Sequence, residues 1–221
     1  MIMASSTEEN YLKSLYNLAN DHGEVNLSDL AASLQVSLPT ANSMVKSLQK
    51  SGWLVYEKYK PVTLTKEGQK NAALIIRKHR LMEMFLVKVM NFGWEEVHEV
   101  AEQIEHIHAP KFFERMDQML GFPTVDPHGS PIPDPQGRVT PHSYTPLSFA
   151  KPGQKVQLAA LTNSSTEFLE FLNSRNLSLG TQLTILSKET YDQSMVVSYT
   201  DHPAETLSEK VSERLLVRVL E

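Results

Sequence analysis

The sequence predicts a mainly α-helical chain with a small β domain at its C-terminal end. Three observations carry that prediction. Residues 7–120 place apolar side chains at helical spacing, residues 121–153 hold most of the prolines and several glycines, and residues 154–221 contain short alternating runs such as QLTILSK and QSMVVSYT. The first stretch reads as helices, the second as a linker or extended tether, and the third as strands. A length of 221 residues allows two or three small domains. The expected division is 1–66, 67–140, a linker at 141–153, and 154–221. With 41% hydrophobic and 21% charged residues, the chain has enough apolar material to build cores.

The first third has a definite order. Tyr11, Leu12, Leu15, Tyr16, Leu18 and Ala19 fall on one face of a helix over residues 7–21, with Thr7 as its N-cap. NLSDLAASLQV then makes a short helix with Leu27, Leu30, Ala31 and Leu34 inward. After the tight connection VSLP, a third helix begins with Pro39 in its first turn, turns Met44, Val45 and Leu48 inward, and is stopped by Gly52. LVYEKYKPVTLT alternates and folds back at Lys60-Pro61 as a β-hairpin. Helix, helix, tight turn, helix and hairpin together read as a winged helix-turn-helix. Long helical segments follow over 66–90 and 111–120. Leu81, Met84, Phe85, Phe112 and Met116 are candidates either for a dimer contact or for the core of the domain itself.

Composition excludes several classes. No apolar run reaches the roughly 18 residues of a membrane span, and MIMASSTEENYLKSLY turns polar too early for a signal peptide. The expectation is a cytoplasmic protein without a membrane partner. The chain has no cysteine, so disulfides and thiolate metal sites are ruled out. Net charge is −5, but its parts differ: residues 1–66 carry 6 basic and 6 acidic side chains, and residues 67–140 carry 8 and 11. Any contact with nucleic acid must therefore come from a local surface.

The third helix supplies such a surface. A recognition helix enters the major groove by its N-terminal residues, here Ser37, Pro39, Thr40, Asn42 and Ser43. Hydroxyls can bind phosphate or base edges, Asn can pair with adenine, and Pro or Thr can touch a thymine methyl. Lys46 and Lys58, with Lys50 and Lys60, are candidates for phosphate contacts. No arginine lies in residues 1–66, so bidentate reading of guanine is not available there. Affinity for double-stranded DNA is expected to come from a dimer and from shape as well as direct contacts.

The most unusual stretch is WEEVHEVAEQIEHIH at 94–108, which carries five glutamates and three histidines. On a helix, His98, Glu102, Glu105 and His106 would share one face, whereas Glu95, Glu96, Glu99 and His108 are expected outside any site. Carboxylates this close repel one another unless a cation lies among them. His79 and Glu83, in RKHRLMEMF, stand at i and i+4. Oxygen and nitrogen ligands without sulfur suit Mn(II), Fe(II), Co(II) or Zn(II). The same segment read simply as a solvated acidic face would leave a winged-helix regulator that answers a small organic ligand. An enzyme is not expected. The i, i+3 pairs Glu95/His98 and Glu105/His108 would need further glutamates on two more helices to form a di-iron bundle, and the zinc-protease pattern lacks its second histidine.

These motifs together resemble the diphtheria-toxin-repressor family of metal-dependent transcriptional regulators, which includes iron- and manganese-dependent repressors. The resemblance rests on TEENYLKSLY (7–16), SLPTANSMVKSLQKSGWLVYEKY (37–59), LTKEG (64–68), RKHRLMEMFL (77–86), VHEVAEQIEHI (97–107) and HGSPIPDP (128–135), and it runs through about residue 140. The remainder resembles the SH3-like, FeoA-like C-terminal domain of the longer members. The resemblance implies a cytoplasmic, homodimeric repressor that binds operator DNA, controls metal homeostasis and needs no organic cofactor. Residues 67–140 would be its helical metal-binding and dimerisation domain. It implies a primary metal site at Asn10, Glu102, Glu105 and His106. It also implies an ancillary site at His79, Glu83 and His98, completed by Glu167 or Glu170. Where iron-sensing members carry Met and Cys, this chain carries Asn10 and Glu102, which moves the preference to Mn(II), or to Fe(II) held by oxygen and nitrogen. Lys13 stands where manganese-type members carry a glutamate, and an ammonium cannot be a ligand. Glu9 is expected to point elsewhere on the first helix. A cation shared by Asn10, Glu102, Glu105 and His106 would set the spacing of the two recognition helices in a dimer.

Overall fold

A computed structural model describes residues 5–140 and 142–220. The outer ends of the expected segments 1–66 and 154–221, and the first residue of the expected linker 141–153, lie outside the described residues. The chain forms two compact units. One contains residues 1–82, 101–122 and 132–140, and the other contains residues 83–100, 123–131 and 141–221.

The first unit opens with α1 (Ser6–Leu18), followed by β1 (Glu24–Val25), α2 (Leu27–Ser33), α3 (Leu38–Lys50), β2 (Leu54–Val55) and β3 (Val62–Leu64). This is a winged helix-turn-helix. The cap of α1 is Ser5, not Thr7, and the reason is a capping box: Ser5 Oγ accepts from Glu8 N while Glu8 reaches back to Ser5 N. The helix also ends at Leu18, three residues before the expected stop. α3 carries Ser37 as N-cap and Pro39 in its first turn, and it stops before Gly52, whose φ of +77° suits glycine. The wing pairs antiparallel in the order β1-β3-β2. Tyr11, Leu15, Leu30, Val45, Leu48, Leu54 and Val62 form the core beneath it. Leu12 sits in a second cluster with Ala72 and Ile75 of α4 (Lys66–Met90). Gly68 in α4 is required by packing, because a Cβ there would lie 1.8 Å from the Trp53 carbonyl oxygen.

The acidic segment is less helical than its periodicity predicts. α5 covers only Val97–Ile104; Trp94–Glu96 form a turn, and Glu105 and His106 lie in the turn that follows. Gly93 caps its own turn by donating to Glu96 Oε2, and Pro110 starts α6 (Pro110–Met119). Proline disfavours helical backbone in the residue before it, which keeps Ala109 out of α6 at φ −130°.

The second unit is built on a six-stranded antiparallel sheet of order β4-β9-β5-β6-β7-β8. Its strands are β4 (Thr145–Pro146), β5 (Lys155–Leu161), β6 (Gln182–Lys188), β7 (Met195–Tyr199), β8 (His202–Leu207) and β9 (Leu215–Val219), with α7 (Thr166–Asn173) and α8 (Glu209–Ser212) between them. The alternation read from QLTILSK is real: Leu183 and Ile185 are buried in a core with Val156, Leu158, Met195 and Val217. Part of the segment expected as linker belongs to this sheet, because Thr145 and Pro146 pair with β9 and Leu147 is fully buried. The chain is thus mainly α with a small β domain. Among the described residues, no helix is long and apolar enough to cross a membrane.

Candidate metal centre and DNA-reading surface

In the first unit, α1, α4, the end of α5 and the turn after it bring seven ionisable side chains together. Lys13 Nζ lies 2.5 Å from Glu102 Oε2 and 2.6 Å from Glu105 Oε1. His79 Nδ1 lies 2.5 Å from the other Glu105 oxygen and 3.7 Å from Glu102. His106 turns its Nδ1 to Glu9, at 2.6 Å, and Lys78 Nζ is 3.5 Å from the same carboxylate. Glu9 is therefore buried at the cluster and not directed elsewhere, as the sequence reading had it. The reason is helical spacing: Glu9 and Lys13 are one turn apart and share a face. Glu105 is wholly buried. Burial pushes its carboxyl up, but the His79 hydrogen bond and the Lys13 charge outweigh this and hold it below the usual carboxylate range.

Asn10 Oδ1, on the same helix, is buried and has no hydrogen-bond partner. A buried, unpaired carbonyl oxygen is costly unless something completes it. Glu102, Glu105 and His79 offer ligand atoms within 4.8 Å of one another, a hard oxygen-and-nitrogen donor set. These donors fit a divalent Mn, Fe or Zn ion. His79 is thus grouped with residues expected at the primary site, while His106 engages Glu9.

The second unit holds another group. Glu83, Asp126 and His128 are all buried and offer ligand atoms within 4.8 Å of one another. His98 Nδ1 lies 3.4 Å from Glu83 Oε1, and its side chain is exposed. The local chain explains the geometry. Asp126 Oδ1 accepts from the backbone of His128 and Ser130, which closes the DPHGS turn. Gly129 has φ +86°, and a Cβ there would lie 2.4 Å from Ala159 O, so only glycine lets this turn rest on β5. His128 Nε2 lies 2.9 Å from the Trp94 carbonyl, to which only an N–H can donate. That leaves the Nδ1 lone pair facing Glu83 Oε2 at 3.9 Å, the orientation a metal-ligating imidazole needs. Asp126 and His128 were not singled out from sequence, although the DPHG turn held the signal. Glu167 stands exposed in the first turn of α7 and Glu170 is exposed further along it; neither is in these groups.

The DNA-reading candidates fall on the winged helix. Ser37, Pro39, Thr40, Ser43 and Lys46 are exposed along α3, and Asn42 is half-buried. Ser37 and Thr40 share a hydrogen bond of 2.8 Å, and Tyr56 Oη donates to Asn42 Oδ1 at 3.0 Å, which fixes the asparagine against the wing. Pro39, Asn42, Lys46, Lys58 and Tyr59 line a concavity of about 720 Å³ between α3 and the hairpin. Lys58 lies 4.7 Å over the ring of Tyr59, which is 89% exposed, while Lys60 pairs with Glu57 at 2.6 Å.

Residues 3–62 match the iron dependent repressor N-terminal DNA binding domain. Residues 65–134 match the iron dependent repressor metal binding and dimerisation domain, and residues 145–219 match the FeoA domain. The iron-dependent repressor IdeR of Mycobacterium leprae (strain TN) is 35% identical over 127 residues, which are 58% of this chain and 55% of that protein. The chain thus spans about half the length of that curated relative. The HTH-type transcriptional regulator MntR of Lysinibacillus sphaericus (strain C3-41) is 35% identical over 104 residues, 47% of this chain and 74% of that protein. Among solved structures, a manganese-dependent transcriptional repressor in complex with manganese superposes with a TM-score of 0.85 at 29% identity, covering 96% of this chain and 100% of that one. ScaR with bound Zn2+ superposes with a TM-score of 0.77 at 30% identity, covering 96% and 99%. With the iron dependent repressor DNA-binding and metal-binding models matching in succession along the chain, and MntR of Lysinibacillus sphaericus matched over 74% of its length, the chain belongs to the iron-dependent repressor family of metal-dependent transcriptional regulators.

Proposed function

We propose that this protein is a divalent-metal-dependent DNA-binding repressor of metal homeostasis, with Mn(II) favoured over Fe(II). One observation carries the reading. The acid and imidazole cluster is shared between α1, which belongs to the winged helix, and the turn after α5. Whatever fills or empties that cluster acts on the element that holds the reading helix. A bound divalent ion would supply positive charge to carboxylates that already converge on Lys13. The chain's own residues do the rest. Asn10 offers its unpaired carbonyl, Glu102 and Glu105 bring charge, and Tyr11 and Leu15 carry any displacement of α1 into the core that packs against α3.

The expected primary set of Asn10, Glu102, Glu105 and His106 is retained, with His79 as an added ligand and His106 as the partner that orients Glu9. For the ancillary set of His79, Glu83, His98 and Glu167, the support is strongest for Glu83 and His98, with Asp126 and His128 beside Glu83. Ser37, Pro39, Thr40, Asn42, Ser43, Lys46 and Lys58 would face operator DNA, and two copies would place two such helices on successive groove faces. Phe112, Met119 and Phe122 are large exposed apolar side chains on and after α6 and would supply part of a homodimer face. A protein of this kind works in the cytoplasm as a regulator and not as a catalyst.

The test is enrichment of binding sites from a randomised duplex pool, run anaerobically with Mn(II), Fe(II), Zn(II) or chelator. An inverted repeat recovered only with metal, at a fixed metal count per subunit, is the expected result. Equal recovery under chelator would remove the metal switch. If metal tightens DNA binding, DNA must tighten metal binding by the same factor, typically about 5–150-fold.

A further inference from the structure

The acidic turn after α5 already contains a cation that belongs to the chain. The Lys13 ammonium lies between Glu102 Oε2 and Glu105 Oε1, at 2.5 and 2.6 Å, and its side chain is only 13% exposed. The second Glu105 oxygen is taken by His79. A divalent ion bound by these two glutamates would need the same oxygen atoms that the ammonium occupies, and two cations cannot share them at these distances. Three residues before Lys13 on the same helix, Asn10 holds a buried carbonyl oxygen with no partner. α1 therefore carries, within one turn, an ammonium that satisfies the carboxylates by itself and a buried carbonyl oxygen with no hydrogen-bond partner.

We propose that Lys13 is an internal competitor for the metal site. It holds Glu102 and Glu105 in the metal-free chain and must leave them for a divalent ion to bind. The exchange replaces one monovalent cation by one divalent cation on the same oxygens, with no covalent step. Lys13 thereby sets the concentration at which the chain responds, and it keeps α1 attached to the acidic turn when metal is scarce. The inference rests on the metal-dependent reading above and adds a threshold to it.

Two measurements on the full-length chain test it. The first follows Mn(II) binding through the electron paramagnetic resonance signal of the free ion, for the wild type and for Lys13→Gln. The loss of charge-assisted hydrogen bonds to the glutamates predicts that Lys13→Gln binds Mn(II) about ten-fold to one-hundred-fold more tightly. The second is lysine acylation of the wild-type chain, read by mass spectrometry at each lysine. Lys13 should react slowly without metal and faster with saturating Mn(II), while Lys46 stays unchanged. This readout needs no variant, so it decides the matter even if Lys13→Gln fails to fold. Stoichiometric Mn(II) binding with unchanged Lys13 reactivity, or with an affinity unaltered in a folded Lys13→Gln, would overturn the competition and leave the metal reading intact. An absence of Mn(II) binding in both proteins, or binding indifferent to Glu102→Gln, would bring down the metal reading itself.

Discussion

Replacing Glu105 by alanine removes a carboxylate with no exposed surface and three close neighbours: Lys13 Nζ at 2.6 Å, His79 Nδ1 at 2.5 Å and His106 Nε2 at 3.7 Å. Deleting one partner of a buried charge pair typically costs about 3–5 kcal/mol, because the other charge is left uncompensated. Here Glu102 still faces Lys13 at 2.5 Å. The expected loss is therefore about 2–3 kcal/mol, since the surviving, partly exposed pair recovers some of the penalty. The chain has two tryptophans, Trp53 in the first unit and Trp94 in the second. In a Trp94→Phe background, Trp53 fluorescence reports the first unit alone. With a urea slope of about 1–3 kcal/mol per molar, the metal-free midpoint should fall by roughly 0.7–3 M. Glu105→Gln, which keeps the shape and one acceptor, should lose less. A shift below about 0.5 kcal/mol for Glu105→Ala, the range of ordinary surface changes, would refute the view that this carboxylate holds α1 to the acidic turn.

Four further outcomes follow from the same geometry. Because Glu105 titrates below its unfolded value, its contribution is present above the ordinary carboxylate range and lost as pH falls through the folded value. The metal-free wild type should thus lose first-unit stability in acid more steeply than Glu105→Gln, as read by Trp53. Gly129→Ala forces a side chain into left-handed backbone and onto Ala159 O; a cost of about 1–3 kcal/mol in the second unit, seen through Trp94, is expected. Ser37→Ala removes the α3 cap and should cost about 1 kcal/mol in thermal unfolding of the winged helix. Lys46→Ala and Lys58→Ala should each weaken binding to all duplexes alike and lower the salt slope by about one, whereas Asn42→Ala should change which sequences are preferred.

The winged helix was legible because its signals are local. Apolar spacing, Pro39 in the first turn of α3, Gly52 after its last turn and the alternation before and after Lys60-Pro61 each act within a few residues. The cap of α1 was legible too, in the S-x-x-E of Ser5 to Glu8, though Thr7 drew the assignment instead. Strand alternation around Leu183 and Ile185 likewise needs only neighbours on the same strand.

The metal centre divides differently. Residue type and helical period were enough to mark His79, Glu83, Glu102 and Glu105 as ligand chemistry, because repulsion among carboxylates is a property of the residues themselves, whereas Asn10 was marked only by the family resemblance. Which of them meet was decided by where helices end and what lies opposite. α5 stops at Ile104, so Glu105 and His106 leave the chain in a turn and face α1, where Lys13 and Glu9 receive them. His128 becomes a buried ligand candidate only because Gly129 can rest on Ala159 and Ala160, a contact thirty residues away in sequence that no periodicity encodes. Long-range contacts of that kind depend on the packing of whole elements, and packing is where the occupant of the space between Glu102 and Glu105 was settled.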